Sequence, residues 1–244
     1  MNKVLSFLYG VVCYLAFFVV FLYLIGFVGN LFVPKSIDTG TETTAAQSVL
    51  VNLALLGLFA VQHTIMARPA FKKWLTKIIP EQVERSTFVL VASLLLALLF
   101  WKWCPMLGVI WSVENPTGTT ILWILFGLGW GTVLFSSFVI NHFDLFGLRQ
   151  VWLHFSNREY HHLEFQARSL YRIIRHPLML GIIVGSWATP HMTTGHLLFA
   201  IAATAYILIG IQFEERDLVR YHGQNYIDYR HRVPMLIPFT KKRN

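Results

Sequence analysis

The stretch VLSFLYGVVCYLAFFVVFLYLIGFVGNLFVP, residues 4–34, runs for 31 residues without Asp, Glu, Lys or Arg. About 20 apolar residues, rising 1.5 Å each, cross a bilayer core of roughly 30 Å. The run is therefore long enough to span, and it is longer than the 7–15 residues typical of a signal-peptide core. It is expected to stay in place as the first span. Working outward, charge-free runs recur at residues 43–67, 86–101 (resuming after Lys102 to 113), 115–143 and 177–213. The first four runs predict four transmembrane helices. The fifth is broken by TPHMTTG at 189–195. Its first arm, Leu178–Ala188, has eleven residues, about 16 Å of helix. Its second arm, His196–Phe213, has eighteen. The predicted fold is an all-α integral membrane protein. Four transmembrane helices occupy residues 1–140. A cytoplasm-facing region, 141–244, contains a helical hairpin with one short arm and a C-terminal tail.

Composition agrees. Of 244 residues, 55% are hydrophobic and 13% charged, against about 25% charged in a soluble domain. The formal net charge of +8 could suggest nucleic acid, but the charges cluster between apolar runs, as a membrane surface requires. No nucleic-acid partner is expected. Lys3, the Arg68–Arg85 loop, the Arg149–Arg175 segment and the tail from Arg216 to Arg243 hold nearly all the Lys and Arg. The positive-inside rule places these segments, and both termini, in the cytoplasm. Lys102, between Trp101 and Trp103, reads as an interface anchor. Cys13 and Cys104 sit in apolar runs and form no CxxC pair, so they read as small apolar residues.

Seven histidines fall on the cytoplasmic side: His142, His154, His161, His162, His176, His222 and His231. Only His161 and His162 are adjacent and no HxxxH occurs, so no metal site is expected. The cluster Gly127-Leu128-Gly129-Trp130-Gly131 has no strand–turn context and is not a dinucleotide fingerprint. Gly127 with Gly131, and Gly181 with Gly185, read as small-xxx-small helix packing.

The segment from Tyr171 to Gly181, YRIIRHPLMLG, carries more chemistry. Pro177 suits a first helical position, which puts His176 at the cap. A helix N-terminus flanked by Arg172 and Arg175 can hold a carboxylate or phosphate. The alternative is a stop-transfer boundary with arginines among headgroups. Glu214 and Glu215 lie where the second arm leaves the bilayer; a carboxylate there can accept from a ribose diol or bind an ammonium group. The alternative is a solvated helix end. Tyr226 and Tyr229, one turn apart, could wall a purine or lie in the headgroup belt. At the end of the fourth run, His142 and Asp144 are candidate bases, with His176 as a competitor; a packed, hydrogen-bonded histidine is the alternative for either ring.

Taken in order, Arg175-His176-Pro177, Gly181, Glu214-Glu215-x-x-Leu218 and Gly223-x-x-Tyr226-x-x-Tyr229 resemble the C-terminal signature of the isoprenylcysteine carboxyl methyltransferase-like membrane superfamily. Met179 stands where that superfamily often has an aromatic. Asn141-His142-Phe143-Asp144-Leu145-Phe146-Gly147-Leu148-Arg149-Gln150 resembles the NnrU-related branch. The resemblance implies S-adenosyl-L-methionine as methyl donor, held without a metal by Arg172, Arg175, His176, Pro177, Gly181, Glu214, Glu215, Tyr226 and Tyr229. It implies a small thiol acceptor, methanethiol yielding dimethyl sulfide, with His142, Asp144 or His176 taking the thiol proton. Methylation of a prenylcysteine carboxylate or a lipid amine keeps the same fold. A transporter or assembly factor binding haem or metal is the non-enzymatic alternative.

Overall fold

The computed structural model describes residues 2–161, 167–238 and 240. His162, Lys241, Lys242 and Arg243, used above for the histidine set and the charge bias, lie outside the described residues. In chain order the elements are α1 (Lys3–Gly29), α2 (Ala45–Ala67), α3 (Pro69–Leu75), α4 (Glu81–Lys102), β1 (Val109–Ser112) and α5 (Pro116–Ile140). Then come α6 (His142–Leu145), α7 (Leu148–Phe155), α8 (Pro177–Trp187), β2 (His191–Thr193), α9 (Thr194–His222) and α10 (Gln224–Arg232).

Among the described residues five helices are long and apolar enough to cross a membrane: α1, α2, α4, α5 and α9. The sequence had given four such spans and a hairpin arm of eighteen residues. The fifth, α9, has 29 residues and continues past Phe213 through Glu214 and Glu215 to His222. Charge ends the apolar run but not the helix, because Glu and Arg are good helix formers once outside the lipid. Likewise α4 begins at Glu81, before the apolar run does. The purely α expectation is also corrected. Val109–Ser112 and His191–Thr193 pair as a two-stranded sheet. Its sequence cue is the β-branched and aromatic character of VIWS in a stretch too short to span. The apolar surface of α1 fits a lipid surround: Leu8, Val12, Leu15, Val19 and Leu22, at helical spacing, are all exposed.

Contacts gather the chain into two compact units. One comprises Met1–Ile110, Asn141–His161 and Met192–Phe199; the other comprises Trp111–Ile140, His162–His191 and Ala200–Asn244.

In the first unit, the start of α1 meets α7 and the start of α4. The Lys3 ammonium donates to Asn157 Oδ1, Phe7 stacks on Phe155 at 5.1 Å, and the Tyr9 hydroxyl lies 3.0 Å from Thr87 Oγ1. Arg85 Nε donates to the Leu145 carbonyl at 2.7 Å. Gly147 needs its identity twice over: its φ is +87°, and a Cβ would sit 2.7 Å from the Ser86 backbone nitrogen. At the opposite ends of these helices, Asn52 closes a two-way bond with the Cys104 backbone, at 2.8 and 2.9 Å. There Trp103, buried, donates to the Ile37 carbonyl at 3.0 Å, and Lys102 lies over the Trp101 ring at 3.9 Å.

In the second unit, α5 and α8 pack backbone to backbone. A Cβ on Gly129 would lie 2.6 Å from the Gly185 nitrogen, and one on Gly181 would lie 2.6 Å from the Gly129 carbonyl oxygen. Gly181 and Gly185 thus do the packing expected of them. On α5 the contact is made by Gly129, whereas Gly127 and Gly131 would meet no atom within 4 Å. The 3.6-residue period explains the difference: Gly129 shares a face with Val133, while Gly127 and Gly131 point elsewhere. Helices α8 and α9 pack through Met179, Ile182 and Ile183 against Ile207 and Ile211, and Trp187 Nε1 donates to Thr204 Oγ1 at 2.9 Å.

Candidate active site

The strongest polar cluster lies in the second unit, where three chain segments converge. Residues 174–176 lead into Pro177 outside any helix or strand, and the Arg175 and His176 backbone N–H groups donate to the Pro234 and Met235 carbonyls at 2.9 and 3.2 Å. This pairing fixes the tail against the mouth of α8. Gly223, at φ +57°, turns the chain between α9 and α10. The turn lets α10 fold back, and it delivers Arg230 beside Glu215 of α9, whose Oε2 lies 3.9 Å from Arg230 Nη1.

At the centre is Glu215, buried with Arg175 and His176. Its Oε1 accepts from Arg175 Nε at 2.6 Å and lies 3.1 Å from His176 Nε2. The Arg175 Nη1 group donates to the carbonyls of Arg230, at 3.1 Å, and Val233. Arg175 thus joins the carboxylate to the tail backbone. His176 bridges two carboxylates, since its Nδ1 lies 3.6 Å from Glu214 Oε2 and the Glu214 side chain is 44% exposed. Arg172 is exposed and donates Nε to the Ala167 carbonyl at 3.2 Å. Pro177 begins α8, and His176 at its cap contributes no side-chain capping bond.

The two tyrosines part company. Tyr226 is 1% exposed and packs with Tyr229, Val233, Leu218 and Val219 as the core under α10. Tyr229 donates its hydroxyl to the Tyr171 carbonyl at 2.6 Å. It also borders an open groove of about 300 Å³ with Ala167, Asn225, Asp228 and Arg232. Burial, as the largest cause, pushes the Tyr171, Tyr226 and Tyr229 hydroxyls above their ordinary range. Asn225, Asp228 and Arg232 were missed in the sequence. Their cue was the polar face of α10 at i, i+3 and i+7 spacing.

His142 and Asp144 belong to the first unit. His142 is buried, and its Nε2 lies 2.9 Å from the Tyr14 hydroxyl. The ring packs edge-on against Phe143 and Phe146. Burial pulls its pKa below the ordinary histidine value. Asp144 is paired elsewhere. Its carboxylate accepts from Arg149 Nη1 at 2.8 Å and from the Tyr160 hydroxyl at 3.4 Å. Asn141, at φ +136°, starts α6 and accepts from the Asp144 N–H at 3.1 Å. The structure thus gives the two residues separate partners, and it is Tyr14 that holds the histidine. Tyr14 lies 128 positions away from His142, and the sequence carried no signal of that pairing.

Helices long and apolar enough to cross a membrane, with a tail folded onto a buried Arg–Glu–His cluster at the mouth of a short helix, define a polytopic membrane protein. No family model and no solved structure matches the chain. Curated relatives do. The chain is 55% identical to a methanethiol S-methyltransferase of Mycobacterium tuberculosis over 99% of each chain. It is 49% identical to the protein of that name from Crocosphaera subtropica, over 100% of this chain and 96% of the relative. A more distant similarity, 29% identity over 70% of each chain, is to Nurim of Mus musculus. The chain belongs to the methanethiol S-methyltransferase family.

Proposed function

We propose that this chain methylates methanethiol to dimethyl sulfide, using S-adenosyl-L-methionine, at the cytoplasmic face of a bacterial inner membrane. The observation that carries the reading is the near-complete, high-identity match to proteins named for that activity. It favours a thiol over a prenylcysteine carboxylate, a lipid amine or a non-enzymatic role.

The residues present fit such a donor. The groove beside Tyr229 offers an aromatic edge with amide, carboxylate and guanidinium groups of the kind that recognise a purine. The half-buried Glu214 carboxylate suits a ribose diol, and Arg172 suits the amino-acid carboxylate. Arg175 and Glu215 position these elements by tying residues 175–176 to 230–235 and to α9. Pro177, Gly181 and His176 set the close approach of α8. When bound, the donor supplies an electrophilic methyl group on a sulfonium.

The protein must orient a thiol sulfur, remove its proton and exclude water, because the thiolate is the nucleophile. Alignment alone can contribute about 7–11 kcal/mol to lowering the barrier. His176, spanning buried Glu215 and more exposed Glu214, can take that proton and pass it outward. His142 is the second candidate base, since burial disfavours its charged form. The cytoplasmic orientation is supported by the start of α1 meeting α7 and the start of α4, which brings Lys3 and the Arg85 and Arg149 segments to one side.

The test is to supply the full chain in lipid nanodiscs with methyl-labelled S-adenosylmethionine and methanethiol, and to analyse the headspace. Labelled dimethyl sulfide is expected. Label transferred only to lipid or prenylcysteine, or to nothing, would overturn the reading.

A further inference from the structure

Ser136, on α5, is 0% exposed, and its hydroxyl has no hydrogen-bond partner among the described residues. A serine inside a membrane helix ordinarily bonds back to the preceding turn. Its neighbour Ser137 does so, donating to the Leu134 carbonyl at 2.6 Å. An unmade bond is costly where no water can replace it, so each such group in a native protein calls for an explanation.

The position of Ser136 supplies one. Helices α5 and α8 are antiparallel: Trp130 lies against Gly185, and Val133 lies within 2.9 Å of where a Gly181 Cβ would be. Gly129, Val133 and Ser136 follow one another at i, i+4 and i+7, on one helix face. Three residues on from Val133 is Ser136; three residues back from Gly181 is Leu178. The register therefore places residue 136 level with the first turn of α8. That turn begins with Pro177, and its cap residue gives no side-chain capping bond. Pro177 has no N–H and that of Leu180 donates to the His176 carbonyl at 3.0 Å, so the N–H groups of Leu178 and Met179 present the positive end of the helix dipole. Among the described residues, the titratable groups at this end of α8 are His176 and Arg175, with Glu214 and Glu215 of α9, Arg230 of α10 and the Tyr171 hydroxyl near them.

We propose that the Ser136 hydroxyl and the first-turn N–H groups of α8 hold the acceptor sulfur as its thiolate, an assignment that rests on the thiol-methylation reading above. A soft anion with a single small methyl group fits a buried hydroxyl and a helix N-terminus in an otherwise apolar wall. A helix N-terminus is also an environment that stabilises thiolates in general. In the step, the S–H bond breaks and its proton leaves through His176. The sulfur electron pair forms the new S–CH3 bond. The donor's S–CH3 bond breaks, and its pair stays on the departing thioether sulfur.

The experiment compares wild type, Ser136→Ala and Ser136→Thr as full chains in nanodiscs. The first readout needs no donor: the ultraviolet absorbance of bound methanethiolate, followed against pH. Ser136→Ala is expected to shift its appearance up by about one pH unit, the equivalent of a tenfold loss. It is expected to lower kcat/KM for the thiol roughly tenfold or more, as the loss of a hydrogen bond to a charged group should. Affinity for S-adenosylhomocysteine stays at the wild-type value, and the melting temperature is unchanged or raised, because an unpaired hydroxyl has been removed. Ser136→Thr restores the wild-type pH profile. The assignment is overturned if Ser136→Ala keeps the wild-type thiolate titration and kcat/KM. It is also overturned if that variant loses S-adenosylhomocysteine affinity or melts lower, since the hydroxyl would then serve the donor or the fold. Wild type that makes no dimethyl sulfide would fail the thiol-methylation reading instead, and the two failures are thereby distinguished.

Discussion

Replacing Glu215 with Ala tests the idea that the Arg175–Glu215–His176 cluster is a clasp before it is a ligand site. Arg175 and Glu215 are 8% and 6% exposed, and they meet at 2.6 Å. Removing the carboxylate leaves a guanidinium buried on two carbonyls with no counter-charge, and strips His176 of its Nε2 partner. Breaking a buried pair from one side costs about 3–5 kcal/mol. At roughly 2–4 °C per kcal/mol for a chain of this size, the melting temperature should fall by about 10 °C. Glu215→Gln keeps an acceptor oxygen of the same shape and should lose about half as much, because hydrogen bonds to charged groups are roughly twice as strong as neutral ones. The double variant Arg175→Met/Glu215→Leu should recover much of the loss, since a well-packed apolar pair often matches a buried ion pair. Thermal melting in one detergent, with S-adenosylhomocysteine titrated calorimetrically into each variant, gives the comparison. A Glu215→Ala protein that melts with the wild type but no longer binds the product would refute the clasp and make Glu215 a direct ligand.

Arg172→Ala should weaken S-adenosylhomocysteine binding about tenfold or more while leaving the melting temperature within a degree or two, because the side chain is exposed and holds one carbonyl; equilibrium titration reads it. His142→Ala, if His142 is the base, should slow transfer by about 10²–10⁴ while sparing donor affinity, and His176→Ala is the matched control in the same single-turnover assay. The lowered His142 pKa also predicts a stability term. It is fully present above the unfolded value near 6.5, and it is lost as pH falls toward the folded value because the unfolded chain takes the proton more readily. Melting curves between pH 5 and 8 should therefore flatten in His142→Ala. Gly129→Ala should destabilise strongly, with backbone atoms at 2.6 Å in the way, whereas Gly127→Ala should be neutral or slightly stabilising; paired melts decide it. A reporter fused after Asn244 should be cytoplasmic and one inserted near Thr41 should lie on the far side; a C-terminus on the far side would remove the single-faced site.

Much of the protein could be read along the chain. The membrane class followed from residues 4–34 and their successors, because lipid demands long charge-free runs and nothing else in a 244-residue chain explains them. The helix start at Pro177 and the packing roles of Gly181 and Gly185 followed from local stereochemistry. So did the choice of Arg175, His176 and Glu215, which stand at polar edges of apolar runs. Partnership could not be read, because it depends on which faces meet across a long stretch of sequence. Arg175 turns inward to Glu215, 40 residues on, and His142 finds Tyr14, 128 residues back, while Asp144, two residues away, goes to Arg149. Three neighbouring glycines look equivalent in sequence, yet only Gly129 lies on the face that α8 approaches. Composition and period decide which residues are buried in lipid or protein; only the tertiary packing of helix faces decides which buried polar groups are paired, and that packing leaves the Ser136 hydroxyl without a hydrogen-bond partner among the described residues.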